Sequence, residues 1–217
     1  YNDNSLPNVA KAISRGSLMG ARGNSGVILS QIFRGMGKVL ECKKEADAVD
    51  IAMALKAGSD TAYKAVMKPV EGTILTIIRE VANRCESEAK KNNDIIAVLI
   101  RGIQQGHQTL RKTPQMLPVL KEAGVVDAGG QGLLYFLEGM VDGLARDKEI
   151  ALNLYKTQDP EYSAEKFIKS ENDIQFQYCT EVLIKGNGLD TAEIGEHLEP
   201  LGDSMLVVGG DDIVKVH

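Results

Sequence analysis

Gly20, Gly23 and Gly26 recur at a spacing of three, with Asn24 and Ser25 between the last two. The stretch Gly20-Ala21-Arg22-Gly23-Asn24-Ser25-Gly26 runs directly into Val27-Ile28-Leu29-Ser30-Gln31-Ile32-Phe33-Arg34-Gly35-Met36. That continuation predicts a helix to about Leu40, with Ile28, Ile32, Met36, Val39 and Leu40 on one face. Glycines let a backbone turn tightly and approach a ligand closely. Asn24 or Ser25 stands where an N-cap belongs. The unbonded N–H groups and the dipole of a helix start favour an anion, phosphate above all. The chemistry implied is anion binding by backbone. The plain alternative is a glycine-rich turn ahead of a capped helix.

Better-known glycine loops do not fit. No Gly-Lys-Ser/Thr follows, so this is not a Walker A loop. The G-x-x-G-x-x-G spacing departs from the dinucleotide fingerprint, and Val9 to Met19 does not read as a buried strand. Ser25 lacks the glycine two places on that a hydrolase nucleophile elbow requires.

The elements that must position this loop are mostly helical. Val9 to Met19 predicts a short helix into the glycine turn. Asp47 is placed to cap a helix through Ile51, Leu55 and Ala62 to Met67, which Pro69 ends. A second turn, Lys68-Pro69-Val70-Glu71-Gly72-Thr73, opens a helix with Ile74, Ile77, Ile78, Val81, Ala82 and Cys85 on one face. Asp94 caps another, with Ile96, Leu99, Ile100, Ile103 and Leu110 inward. Pro114 starts a short helix through Met116, Leu117 and Leu120 that ends at Gly124. A third turn, Gly124 to Gly132, precedes a helix bearing Leu133, Leu134, Leu137, Met140, Val141 and Leu144. If alternate helix starts gather at one end of an antiparallel bundle, the three glycine-rich turns converge on one site.

The character changes after Arg146. Asp147 to Pro160 reads as a linker and Glu161 to Ser170 as a short helix. Ile174, Phe176, Tyr178, Thr180, Val182 and Ile184 alternate with period two, as in a strand. Gly186-Asn187-Gly188 turns, and Asp190 with Glu193 starts a short helix. Met205 to Val208 and Ile213 to Val216 read as strands joined through Gly209 to Asp212. The order β-α-β-β predicts the start of a small α+β domain. The expected division is residues 1–146, a linker at 147–170, and 171–217.

With 217 residues the chain is long enough for one large domain, or one domain and part of another. Its net charge of −5 argues against a broad nucleic-acid or anionic-membrane surface. Any phosphate must then be held by local geometry, backbone N–H groups or a metal. Cys42, Cys85 and Cys179 are few, odd in number and far apart, which suits a reducing cytoplasm and no disulfide framework. No secretory leader and no membrane-length apolar run is legible, so membrane insertion is not expected. The chain opens on Tyr1-Asn2-Asp3 and stops at Val216-His217 inside a strand pattern, which reads as an internal piece of a longer protein.

Three segments in this order carry a resemblance. They are Gly20 to Gln31, Ala65-Val66-Met67-Lys68-Pro69-Val70-Glu71-Gly72-Thr73-Ile74-Leu75, and Gly124-Val125-Val126-Asp127-Ala128-Gly129-Gly130. Together they resemble the kinase domain of bacterial fatty-acid kinase, in its A-type component. That domain is related to DhaL, the ATP-binding component of dihydroxyacetone (glycerone) kinase. Tyr178-Cys179-Thr180-Glu181 and Gly202-Asp203-Ser204 to His217 resemble the start of the fatty-acid kinase's middle domain. The likeness covers essentially the whole chain.

The resemblance implies a mainly α fold, an antiparallel helical barrel of about eight helices with the nucleotide at one end, followed by the α+β segment. It implies that Gly23, Asn24, Ser25 and Gly26 hold ATP phosphates and that Ile28 packs near the adenine. Thr73 and Ile74 would line the base, and Asp127 to Gly130, Gly129 included, would cap the nucleotide. Related kinases hold Mg²⁺ on aspartates of a D-G-D-T-G segment that would lie upstream of residue 1; Asp3 does not match it. The activity is therefore expected of the parent protein, and this chain alone is expected to be nearly inactive. The implied acceptor is a fatty-acid carboxylate presented by a DegV-type fatty-acid-binding protein, with an acyl phosphate as product. The other classes left open are a dihydroxyacetone kinase-like phosphotransferase and a noncatalytic nucleotide-binding scaffold, and a homodimer is left open too.

In the family's middle domain, Cys179 and His217 match positions resembling zinc ligands, with a further histidine expected past residue 217. A buried cysteine and a strand histidine are the alternative, since two ligands are too few for a site. His107 and His197 read as structural or solvated. Lys68 and Arg22 are in reach of phosphates or are surface charges, and Lys121 is weaker still.

Overall fold

The structure, a computed structural model, describes residues 5–145, 175–209 and 212–217. The linker and short helix expected within 147–170, Ile174 and Asp3 lie outside the described residues. Residues 5–145 form eight helices, α1 Leu6–Gly20, α2 Gly23–Leu40, α3 Ala48–Ala65, α4 Ile74–Ala89, α5 Ile95–Leu110, α6 Thr113–Met116, α7 Pro118–Ala123 and α8 Ala128–Ala145. Successive long helices pack as neighbours, α1 on α2, α2 on α3, α3 on α4 and α4 on α5, and α8 closes against α5 and α4. The fold is mainly helical as expected, with a small three-stranded sheet after it.

Aliphatic residues at helical spacing build the core. Ile32, Met36 and Leu40 of α2 join Leu55 of α3, Ile77, Ile78, Val81 and Cys85 of α4, Leu99 and Ile103 of α5, and Leu133, Leu134 and Leu137 of α8. Leu144 departs from the expected face and is exposed. Helices α2 and α3 cross backbone to backbone. A Cβ placed on Gly35 would stand 2.6 Å from the Cα of Gly58, and one on Gly58 would stand 2.8 Å from the Ile32 carbonyl oxygen. His107 is buried with Nε2 2.6 Å from Glu138 Oε1, a pair that joins α5 to α8.

Several helix ends follow the capping residues. Asp47 forms a reciprocal capping box with Asp50, and Asp94 accepts from the Ile96 N–H. Gly124 ends α7 at φ 68°, a left-handed conformation suited to glycine. Other ends differ from expectation. Helix α3 stops at Ala65, ahead of Met67, because Val66 turns extended and bridges Leu206. The single helix expected after Pro114 is two, since Leu117 precedes Pro118 and is held extended at ψ 111°. Helix α8 starts at Ala128, so Gly129, Gly130 and Gly132 lie inside it and not in a preceding turn.

The second region holds β1 Val182–Lys185, α9 Thr191–Leu198, a 3₁₀ turn at Glu199–Leu201, β2 Val207–Gly209 and β3 Ile213–Val216. Asp190 caps α9 by accepting from the Ala192 and Glu193 N–H groups. The sheet is antiparallel in the order β1-β3-β2, with Val182 opposite Val216 and Val207 opposite the same residue on the other side. The alternation from Phe176 to Thr180 does not become strand. Only Val182 to Lys185 find a partner, because β3 is four residues long. Leu206 and Val208 pack with Ala21 and Val27, so the sheet rests on the first glycine loop.

Candidate functional site

The first glycine loop does not use a side-chain cap. Helix α2 begins at Gly23 after an extended Arg22, and neither Asn24 nor Ser25 is the N-cap. Both lie in the first helical turn because Gly23, at φ 64°, makes the bend one residue before Asn24. Their side chains are thereby released from the helix start. Asn24 Nδ2 donates to the Ser204 carbonyl 3.2 Å away, and its Oδ1 is buried without a hydrogen-bond partner among the described residues.

The second turn is fixed by one carboxylate. Glu71 accepts two bonds from the Arg79 guanidinium, at 2.6 and 2.9 Å, one from Thr76 Oγ1 at 2.7 Å and one from Tyr63 at 3.1 Å. The Arg79 hydrogen bonds are the main reason that the Glu71 carboxyl lies below its usual range. Thr76 Oγ1 in turn accepts the Gly72 N–H, and Thr73 Oγ1 caps α4. This network holds Thr73 and Ile74 at the head of α4.

The third turn is folded onto the first. Asp127 Oδ2 accepts the Gly130 N–H at 2.6 Å, and Thr113 Oγ1 accepts the Asp127 N–H at 3.1 Å. A Cβ on Gly129 would lie 3.0 Å from Ser25 Oγ, so the first turns of α8 and α2 meet at that point.

These turns line one cavity of about 590 Å³. Asn24, Ser25 and Ile28 come from the first motif, Val66 to Lys68, Val70 and Thr73 to Leu75 from the second, and Asp127 from the third. Gly202 to Leu206 and Glu199 of the second region complete the wall. The cavity has the size and mixed apolar and polar lining of a small-molecule site. Of the residues expected to hold a nucleotide, Asn24, Ser25, Ile28, Thr73, Ile74 and Asp127 line it. Gly23, Gly26 and Gly129 do not: Gly26 packs on Ala21, and the Gly23 N–H is bonded to Glu181 Oε1 at 3.1 Å.

No local pattern in the sequence marks Glu181 or the Ser204 segment as part of this site. Burial pushes the Glu181 carboxyl up, but the Gly23 N–H, Lys215, Arg22 and His217 together outweigh that and hold it below its ordinary value. Arg22 faces this carboxylate at 3.8 Å and does not line the cavity; Lys68 lines it and lies 3.8 Å from Glu199. Cys179 Sγ lies 3.2 Å from His217 Nε2. Among the described residues no group of three or more His, Cys, Asp or Glu is arranged to hold a metal.

Asp127 gives a test of the cavity's electrostatics. Burial raises its carboxyl above the ordinary 3.8, against the pull of the Gly130 and Ile74 N–H groups. A carboxyl raised on folding is bound more tightly as the neutral acid in the native chain. Its favourable contribution is present below the ordinary value and is lost as pH rises through the carboxylate range. Asp127→Asn keeps an acceptor for Gly130 and removes the charge. Thermal melts should show the variant matching the parent at about pH 3 and exceeding it by a few degrees at about pH 7. A pH-independent difference would mean that burial of the charge is not felt.

A family model described as "DAK2 domain" matches residues 2–142. A second model, for the middle domain of proteins like the A-type component of fatty acid kinase, matches residues 175–217. Protein YloV of Bacillus subtilis is 44% identical over 218 residues, which cover 96% of this chain and 39% of YloV. An uncharacterized protein of Staphylococcus haemolyticus is 43% identical over 221 residues, covering 98% of this chain and 40% of its own. The chain thus spans about two fifths of the length of these relatives. Among the described residues no helix is long and apolar enough to cross a membrane. The first model covers more than half of the chain, and the chain belongs to the DAK2-domain family, its helical domain joined to a middle domain of the fatty acid kinase type.

Proposed function

We propose that this chain is the nucleotide-binding part of an ATP-dependent kinase that, in its parent protein, phosphorylates the carboxylate of a fatty acid. The observation that carries the reading is the meeting of three glycine-bearing motifs, drawn from residues 24 to 127, around one cavity. Asn24, Ser25 and the N–H groups that open α2 hold the phosphates, with the helix dipole favouring their charge. Ile28 and Ile74 offer apolar surface to the base, and Thr73 a hydroxyl. Asp127, at the head of α8, closes over the nucleotide from that side. The acceptor comes from a separate DegV-type fatty-acid-binding protein, and the product is an acyl phosphate.

A magnesium ion supplies charge neutralisation in phosphoryl transfer generally. Among the described residues no group of three or more His, Cys, Asp or Glu is gathered to hold it, and Asp127, Glu199 and Asp203 are the carboxylates on the cavity wall. Cys179 and His217 are likewise two donors where a structural zinc takes four.

The test is a trapping assay on the full-length parent with ATP, Mg²⁺ and a fatty acid loaded on its carrier. Hydroxylamine should capture an acyl hydroxamate only when all components are present. Phosphorylation of dihydroxyacetone in place of the fatty acid would move the chain to the glycerone kinase class. Nucleotide binding with no transfer to either acceptor would make it a scaffold.

A further inference from the structure

A second cavity, of about 470 Å³, lies where α1 and α2 meet strands β2 and β3, and it shares no lining residue with the nucleotide cavity. Four cations line it. Lys11 and Arg15 stand one turn apart on α1, and Arg34 and Lys38 stand one turn apart on α2. A spacing of four puts each pair on one side of its helix. The two helices approach closely at this point because residue 37 is a glycine. A Cβ there would lie 3.3 Å from both the Ala10 carbonyl oxygen and Ser14 Cβ. Arg34 is half-buried, and its Nη1 donates at 3.5 Å to Oε1 of Gln31, which is 2% exposed. Lys11, Arg15 and Lys38 reach solvent, so the cations are open to a ligand. Glu41 and Asp212 are the carboxylates on this wall. Among the described residues neither forms an ion pair with any of the four cations. The wall thus gathers four positive groups against two negative ones, on a chain whose net charge is −5.

We infer that this cavity binds a small free polyanion bearing at least two phosphate groups, with one cation pair on each side of it. Like charges one turn apart destabilise the helix that carries them, and an anion between them removes that repulsion. A single phosphate answers one pair, whereas two linked phosphates answer both. The guanidinium groups of Arg15 and Arg34 present planar forks that suit phosphate oxygens, and Lys11 and Lys38 add compact charge. The volume is that of a small-molecule site. Gly209, Asp212 and Ile213 supply part of the wall, so the ligand sits in a recess between the helices and the second region. The site stands apart from the nucleotide reading, because none of its residues belongs to the three glycine-bearing motifs that form the other cavity.

The experiment is calorimetric titration of pyrophosphate, at constant ionic strength, into the 217-residue chain and three double variants, each with its melting curve. The variants are Lys11→Gln with Arg15→Gln, Arg34→Gln with Lys38→Gln, and Asn24→Ala with Ser25→Ala. The wild type should bind pyrophosphate saturably, and each loss of a cation pair should weaken that binding at least tenfold. Without ligand those two variants should melt at or above the parent, since a like-charge pair is gone. The Asn24 and Ser25 variant should keep this site, which separates it from phosphate held in the nucleotide cavity. Equal pyrophosphate binding by the wild type and both cation variants, or no saturable binding by the wild type, would overturn the inference. Sulfate binding as tightly as pyrophosphate would overturn it too, by showing a general response to anions. Cation-dependent sedimentation with cardiolipin vesicles, without binding of free pyrophosphate, would assign the cations to a lipid headgroup and overturn the free ligand.

Discussion

Gly35→Ala should lower the melting temperature on the order of 10 °C or more, the result of losing several kcal/mol. At the α2–α3 crossing a Cβ on Gly35 would stand 2.6 Å from both the Ala57 carbonyl carbon and the Gly58 Cα. These are backbone atoms and cannot rotate aside. Helices α2 and α3 must part, and the loss spreads through Ile32 and Leu55, which are 1% and 0% exposed. Overpacking of a tight core usually costs about 1–3 kcal/mol, and more where backbone has to move. Helix propensity runs the other way, since alanine is favoured over glycine by about 1 kcal/mol in a helix interior. Gly139→Ala serves as the control: it is helical, and a Cβ there meets nothing within 4 Å. That variant should melt at or slightly above the parent. A Gly35→Ala chain that melts with the parent would show that the two helices do not cross as described. Because α2 also carries Asn24, Ser25 and Ile28, parting the crossing would displace one wall of the cavity as well.

The helical layer is legible in the sequence because its signals are local. Asp47, Asp94 and Asp190 cap the helices that follow them, and Ile77, Ile78, Val81 and Cys85 fall on the inner face of α4 as their spacing requires. The break at Leu117 has a local signal too: Pro118 restricts the residue before it, and that constraint outweighs the apolar run through Leu120. What is not legible is non-local. Val66 leaves α3 to bridge Leu206, far along the chain, and no propensity at Val66 announces that partner. Phe176 to Thr180 alternate as a strand would, but alternation needs a neighbour and β3 ends after four residues. The convergence of three turns on one cavity follows from helix connectivity together with the resemblance. The contribution of Glu181, Ser204 and Leu206 to that neighbourhood follows from neither, because it depends on how the second region rests on the first.

The double substitution Asn24→Ala with Ser25→Ala should weaken ATP binding by about 100-fold while leaving the fold in place. Each side chain stands in the first turn of α2 on the cavity wall, beside the N–H groups of the helix start. Asn24 Oδ1 is a buried polar atom with no partner among the described residues, and Ser25 Oγ is where the first turn of α8 meets α2. A hydrogen bond to a charged phosphate contributes about 1.5–3 kcal/mol, so losing two removes at least two decades of affinity. The fold loses much less. Asn24 gives up its bond to the Ser204 carbonyl, worth about 1 kcal/mol, and the hydrophobic core is untouched. Calorimetric titration of ATP into the wild-type chain and this double variant, with melting curves of both, tests the central claim most directly. The account predicts one ATP per wild-type chain and a loss of about 100-fold in the variant at nearly equal melting temperature. Equal ATP binding by the two chains, or none by the wild type, would contradict it.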